Sequence, residues 1–121
     1  MTIHTQVLED LGVLEVIYSE GSVTDKELKE QRKVVADALE KNDMSKVLID
    51  ASALTHMPKV TTTLKHNMEV AAIETLRRTR FAILFKTMGK DEQFLEDTAV
   101  NRGIPLKAFT SREEALAWLV E

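Results

Sequence analysis

Between Lys46 and Pro58 the chain reads KVLIDASALTHMP: a short apolar run closed by an aspartate, a polar loop, and a proline that opens a helical pattern. A second run, Phe81 to Phe85 within RFAILFK, is apolar at every position, with Arg80 and Lys86 at its ends. Successive side chains of a strand point to opposite faces, so a strand apolar throughout must be covered on both. Two such runs joined by a helical segment constrain the fold to an α/β class, with Val47 to Ile49 and Phe81 to Phe85 inside one sheet. A connection that long makes the joined strands parallel, with a right-handed crossover. Pro58 suits the first turn of that helix, where its missing N–H has no intrahelical partner to lose.

The remaining segments fit the same plan. Ile3 to Leu8 and Val13 to Tyr18 are rich in aliphatic and β-branched residues and are separated by Glu9, Asp10, Leu11 and Gly12, which predicts an antiparallel hairpin. In its second strand Leu14, Val16 and Tyr18 share an apolar face that should meet the helices, while Val13, Glu15 and Ile17 share a mixed one. Thr24 followed by Glu27 forms a capping box, and Leu28, Val35, Ala38 and Leu39 recur behind it at helical spacing until Asn42 and Asp43. A third helix is expected over Asp91 to Arg102, with Phe94, Leu95, Thr98 and Ala99 inward and Gly103 in the left-handed position after its end. Pro105 to Phe109 reads as the last strand. Thr110 to Glu113 reads as a second capping box, ahead of a terminal helix with Ala115, Leu116, Trp118 and Leu119 inward. The expected order is ββαβαβαβα: a single mixed five-stranded sheet, antiparallel only in its N-terminal hairpin, with four helices, in a single domain spanning residues 1–121.

Composition limits function. Sixteen Lys and Arg against twenty Asp and Glu leave a formal charge of −4, which gives phosphate backbones no general attraction and argues against nucleic acid as a partner. Cysteine is absent, which removes disulfides, thiol catalysis and sulfur-ligated metals and fits a cytoplasmic setting. The first residues carry Glu9 and Asp10 inside their apolar region, unlike a signal peptide, and no apolar stretch predicts an integral membrane segment.

No residue constellation dictates a reaction. His4, His56 and His66 fall on three different expected elements without a paired-ligand spacing, so neither a metal nor another cofactor is expected. Asp50 ends a central strand, where ligands collect in open α/β sheets. Phosphoryl transfer to it would need an acidic pair for magnesium, which the opening hairpin does not supply, although Thr87 and Lys107 superficially suit the other roles. Asp50 is instead expected to accept N–H groups of its own loop. Arg77, Arg78 and Arg80 cluster where a helix C-terminus favours cations.

The order of elements, the VLIDAS strand with its polar loop, the RFAILFK strand and above all the closing IPLKAFTSREEALAWL resemble the small bacterial SpoIIAA-like proteins of the STAS group, which are related in structure to CRAL-TRIO lipid-binding domains. The resemblance covers the whole chain. It implies a non-catalytic regulatory or protein-interaction module, with a carrier or sensor of a small apolar, lipid-like ligand, held between helices and sheet, as the alternative. STAS partner-switching proteins carry a phosphorylated serine in an Asp-Ser-Ser-Gly-type motif after the central strand. The matching positions here are Pro58, Lys59, Val60 and Thr61, so the acidic residue, the serine and the glycine are missing. The loop residues Asp50, Ser52, His56 and Thr61 are the candidate ligand or partner contacts, with Thr61, Thr62 and Thr63 as displaced acceptors.

The expected helix from Lys59 to Arg78 has two apolar arcs. Met57, Val60, Leu64, Met68, Ala71 and Thr75 form the one expected to dock on the sheet. Thr63, His66, Val70 and Ile73 form a ridge on the other side, at the spacing of a helix-packing seam, and are the candidate interface with a protein partner or with the same ridge of a second copy in a homodimer.

Overall fold

The computed structural model describes residues 2–121. Five strands form one sheet in the order β1 (Ile3–Leu8), β2 (Val13–Tyr18), β4 (Lys46–Asp50), β6 (Arg80–Leu84) and β7 (Leu106–Phe109). β1 and β2 are antiparallel, pairing Ile3 with Tyr18 and Leu8 with Val13, and all later pairings are parallel. The two all-apolar runs are therefore interior strands, as their covered faces require. Two short strands, β3 (Gly21–Ser22) and β5 (Leu54–His56), pair in a separate parallel ladder that the sequence reading did not include. Their segments are too short for an alternating pattern to register.

Thr24 caps α1 (Asp25–Asn42): its hydroxyl accepts from Glu27 N–H at 3.2 Å, and the Glu27 carboxylate takes the Thr24 N–H at 3.1 Å. The expected long second helix is two pieces, α2 (Val60–Ala72) and α3 (Glu74–Arg77), which makes five helices rather than four. The break is at Ile73, whose backbone is extended and whose N–H reaches Val70 O at 3.2 Å. A β-branched residue resists helix geometry, and the bend lets Leu76, only 1% exposed, reach the core. Pro58 lies ahead of the Lys59 cap rather than inside the first turn. α4 (Lys90–Asn101) ends before Gly103, whose φ of 81° is the left-handed conformation expected there. α5 (Arg112–Val120) is capped by Ser111, not Thr110: the Ser111 hydroxyl accepts from Glu114 N–H at 3.3 Å.

Helices α1 to α4 cover one face of the sheet, over Leu14, Val16, Tyr18, Val47, Ile49, Phe81 and Ile83. On the opposite face α5 sets Ala115 and Leu119 on Val13, Leu48, Ala82 and Leu84. Among the described residues no helix is long and apolar enough to cross a membrane.

Candidate functional site

The loop after β4 begins with an Asx turn. The Asp50 carboxylate accepts the backbone N–H of Ser52 at 3.1 Å and the Ser52 hydroxyl as well. Ala51 N–H donates to Leu84 O at 2.8 Å and ties the turn to β6. The carboxylate thus has its loop partners, and it also lies near enough to Arg112 to favour that guanidinium's charge. Thr87 shares a shallow surface depression with Glu20, Ser52 and Lys86, whereas Lys107 points its ammonium over the Phe109 ring at 5.6 Å. Among the described residues no group of three or more His, Asp or Glu side chains is placed to hold a metal ion.

Of the four loop candidates, Asp50 and Ser52 are joined by hydrogen bonds, while His56 and Thr61 stand apart. His56 is exposed, with Nδ1 3.2 Å from Thr55 Oγ1. Thr61 is exposed in the first turn of α2; Thr62 is half-buried and Thr63 is buried, which leaves Thr61 as the most exposed of the three. The Lys59 cap makes no side-chain hydrogen bond, and no acidic residue stands in that first turn.

The orientation of α2 departs from the expectation: of the arc expected to dock, Met57 and Ala71 pack on the main core, but its middle turns outward. Thr63, Asn67 and Val70, at 4%, 2% and 7% exposure, face the core, while Val60 and Met68 are each 51% exposed. Of the ridge expected as an interface, Thr63 and Val70 are thus buried against the chain's own core, and His66 and Ile73 are partly buried beside them, Ile73 packing on the main core. The polar members of this inner side are matched by other helices. Asn67 donates to Thr98 Oγ1 at 2.7 Å and to Leu95 O at 3.3 Å on α4. His66 Nδ1 lies 2.8 Å from Arg32 Nη1 on α1, and because a guanidinium can only donate, the imidazole accepts there. Burial first, and the Arg32 charge second, push the His66 pKa down to about 4, so the ring is neutral near pH 7.

Two further buried polar residues are matched across elements. Glu15, 1% exposed in the middle of β2, accepts from Gln6 Nε2 of β1 and from Arg112 Nη1 at the start of α5. Gln31, 3% exposed, hydrogen-bonds the Tyr18 phenol, whose pKa burial nevertheless pushes up. Gln6 is the cross-strand neighbour of Glu15 within the hairpin, but Arg112 lies 97 residues away and Tyr18 is on a different element from Gln31, so local pattern held no sign of those two contacts.

Two solved structures share this architecture along nearly their whole length. An anti-sigma factor antagonist from Mycobacterium paratuberculosis matches with a TM-score of 0.61 at 19% identity, covering 99% of this chain and 96% of that one. The anti-sigma factor antagonist SpoIIAA in its unphosphorylated form matches with a TM-score of 0.59 at 10% identity, covering 97% and 96%. No protein-family model matches the sequence, and no match was found among curated proteins. The chain has the STAS fold of these anti-sigma factor antagonists; at such identities the likeness is one of fold.

Proposed function

We propose that this chain is a non-catalytic regulatory module that binds another protein through the outer flank of α2 and the loop that leads into it. The observation that carries this reading is the apolar stripe left in water. Val60 and Met68 are half exposed, and half-buried Leu64 lies between them at intervals of one turn. Large aliphatic groups lined up along one helix flank mark a contact surface more often than an isolated exposed residue does. Thr61 adds an exposed hydroxyl in the first turn of α2, and Asp50 and Ser52 hold the preceding loop in one shape. The likeness in fold to two anti-sigma factor antagonists supports a partner of the anti-sigma factor kind.

The lipid-carrier alternative has less support. The apolar cavity beneath α1 and α2 holds about 70 Å³, well below the roughly 300 Å³ at which drug-sized ligand pockets begin.

Capture of partners from an extract of the source cell, with the intact chain as bait, tests the proposal. A specific protein retained by the wild type and lost with Val60→Glu and with Met68→Glu is the expected result. A partner held equally by all three baits would overturn the surface assignment. Native mass spectrometry showing a copurified lipid and no protein would favour the carrier instead.

A further inference from the structure

Two spaces meet at the Arg32–His66 pair. Inside it is the mostly apolar cavity of about 70 Å³, walled by Ile49, Val70 and Leu76 among others. Outside it is an open cleft of about 470 Å³ between α1 and α2, lined by Lys26, Lys29, Arg32 and Lys65 against only Asp25 and Glu69. Leu28, Arg32 and His66 line both. In a chain of net charge −4 this cleft is a local cationic site. Among the described residues the one partner of Arg32 is the His66 ring, and no carboxylate pairs with it. A half-buried guanidinium held by an uncharged acceptor retains most of its capacity to bind a carboxylate through two parallel N–H bonds.

From this geometry we infer a binding site for a small amphipathic carboxylate, its head on Arg32 in the cationic cleft and its short apolar tail in the cavity behind His66. The volume sets the tail. A cavity of ~150 Å³ accepts benzene, so about half of that takes a short branched chain and not an acyl chain. Charge sets the head: Lys29 and Lys65 add attraction to the anion in the cleft, while the apolar wall behind excludes a second charged group. The His66 ring occupies the junction, so its Arg32 hydrogen bond must open for the tail to enter. This site is independent of the outer flank of α2, because His66 and Met68 lie on different sides of that helix.

The experiment is an NMR titration of the intact, methyl-labelled protein with 3-methylbutanoate at millimolar concentrations, against three probes: acetate, inorganic phosphate and 3-methylbutanamide. The expected result is saturable movement of the His66 ring signals together with the Ile49, Val70 and Leu76 methyl signals, and affinity at least tenfold above that of each comparison probe. Arg32→Gln should lower that affinity at least tenfold. Val70→Ile, which fills the cavity, should remove the preference over acetate if the variant keeps its dispersed spectrum. No saturable shift in the wild type overturns the site. Equal binding of phosphate or acetate overturns the tail, and equal binding of the amide overturns the role of Arg32.

Discussion

The sheet has one face covered by four helices and another covered by a single short one, and the chain finishes the two in different ways. A helix is about 10 Å across, whereas five strands span about 19 Å, so α5 alone covers roughly half of its face. It lies over β4, β6 and β7. Toward β2 and β1, beside the aliphatic contacts of Val13 and Leu8, the surface is completed by Glu15, Gln6 and Arg112, hydrogen-bonded in a row. At the other side of α5, Arg80 lies over the Trp118 ring at 3.9 Å and donates to Trp118 O at 2.8 Å. On the crowded face the polar residues are inside: Gln31, Thr63 and Asn67 are buried between helices and sheet, beside the cavity. The face with few helices is thus finished by a charged pair at the edge of α5, and the face with many helices is tied together by hydrogen bonds between them, from Arg32 to His66 and from Asn67 to Thr98.

The largest test of this contrast is Val70→Glu. A carboxylate placed on the inner side of α2 enters a mostly apolar cavity whose one lining cation among the described residues, Arg32, already donates to His66, and a cost of about 4 kcal/mol is expected. Loss of the cooperative urea transition would show it. A variant of near wild-type stability would put α2 the other way round, with Met68 inside.

On the sparse face, Arg112→Ala strips Glu15 of its cation. Removing one partner of a buried pair costs ~3–5 kcal/mol; Arg112 is 44% exposed in its side chain, so the lower end, about 3 kcal/mol, is expected. Glu15→Gln in the same background should restore most of this, because a neutral amide needs no counter-charge. A fall in urea midpoint that Glu15→Gln does not reverse would mean Arg112 acts through its α5 position and not through the pair.

The crowded face carries a pH dependence. His66 titrates near pH 4 in the folded chain, against about 6.5 when unfolded. The unfolded state therefore binds the proton first, and stability is complete above pH 6.5 and declines as pH falls toward 4, by on the order of 2–3 kcal/mol. The His66→Gln variant should lack that portion of the slope. Equal slopes in variant and wild type between pH 6.5 and 4 would show that the ring is not held neutral by its surroundings.

Smaller effects are expected at the margins. Trp118→Leu keeps an apolar group on α5 but removes the surface over which Arg80 lies, a loss of about 1 kcal/mol by thermal unfolding. Met68→Glu on the exposed flank should move stability by less than about 0.5 kcal/mol. If Met68→Glu proves as costly as Trp118→Leu, its side chain is buried in solution and the exposed stripe does not exist.

Periodicity and end signals were local, and they were enough for the strands and for most helix bounds. The hairpin from Ile3 to Tyr18, the Thr24 capping box and the Gly103 turn each depend on residues a few positions apart, whose geometry a short window already contains. The apolar runs around Leu48 and Ile83 also fixed their interior places, because a strand without a polar face has no edge to occupy. The side of α2 that faces the sheet was not determined in this way. Its wheel offers two partly apolar arcs, and the more apolar one, with Val60, Leu64 and Met68, is the outer one. Asn67 is stable inside because Thr98 and Leu95 of α4 accept its amide hydrogens, and Glu15 because Arg112 reaches it from the far end of the chain. Burial of a polar group is favourable only when a partner is in place, and that partner is supplied by the tertiary structure, so the inner face of α2, the cavity behind it and the charge under α5 were decided there.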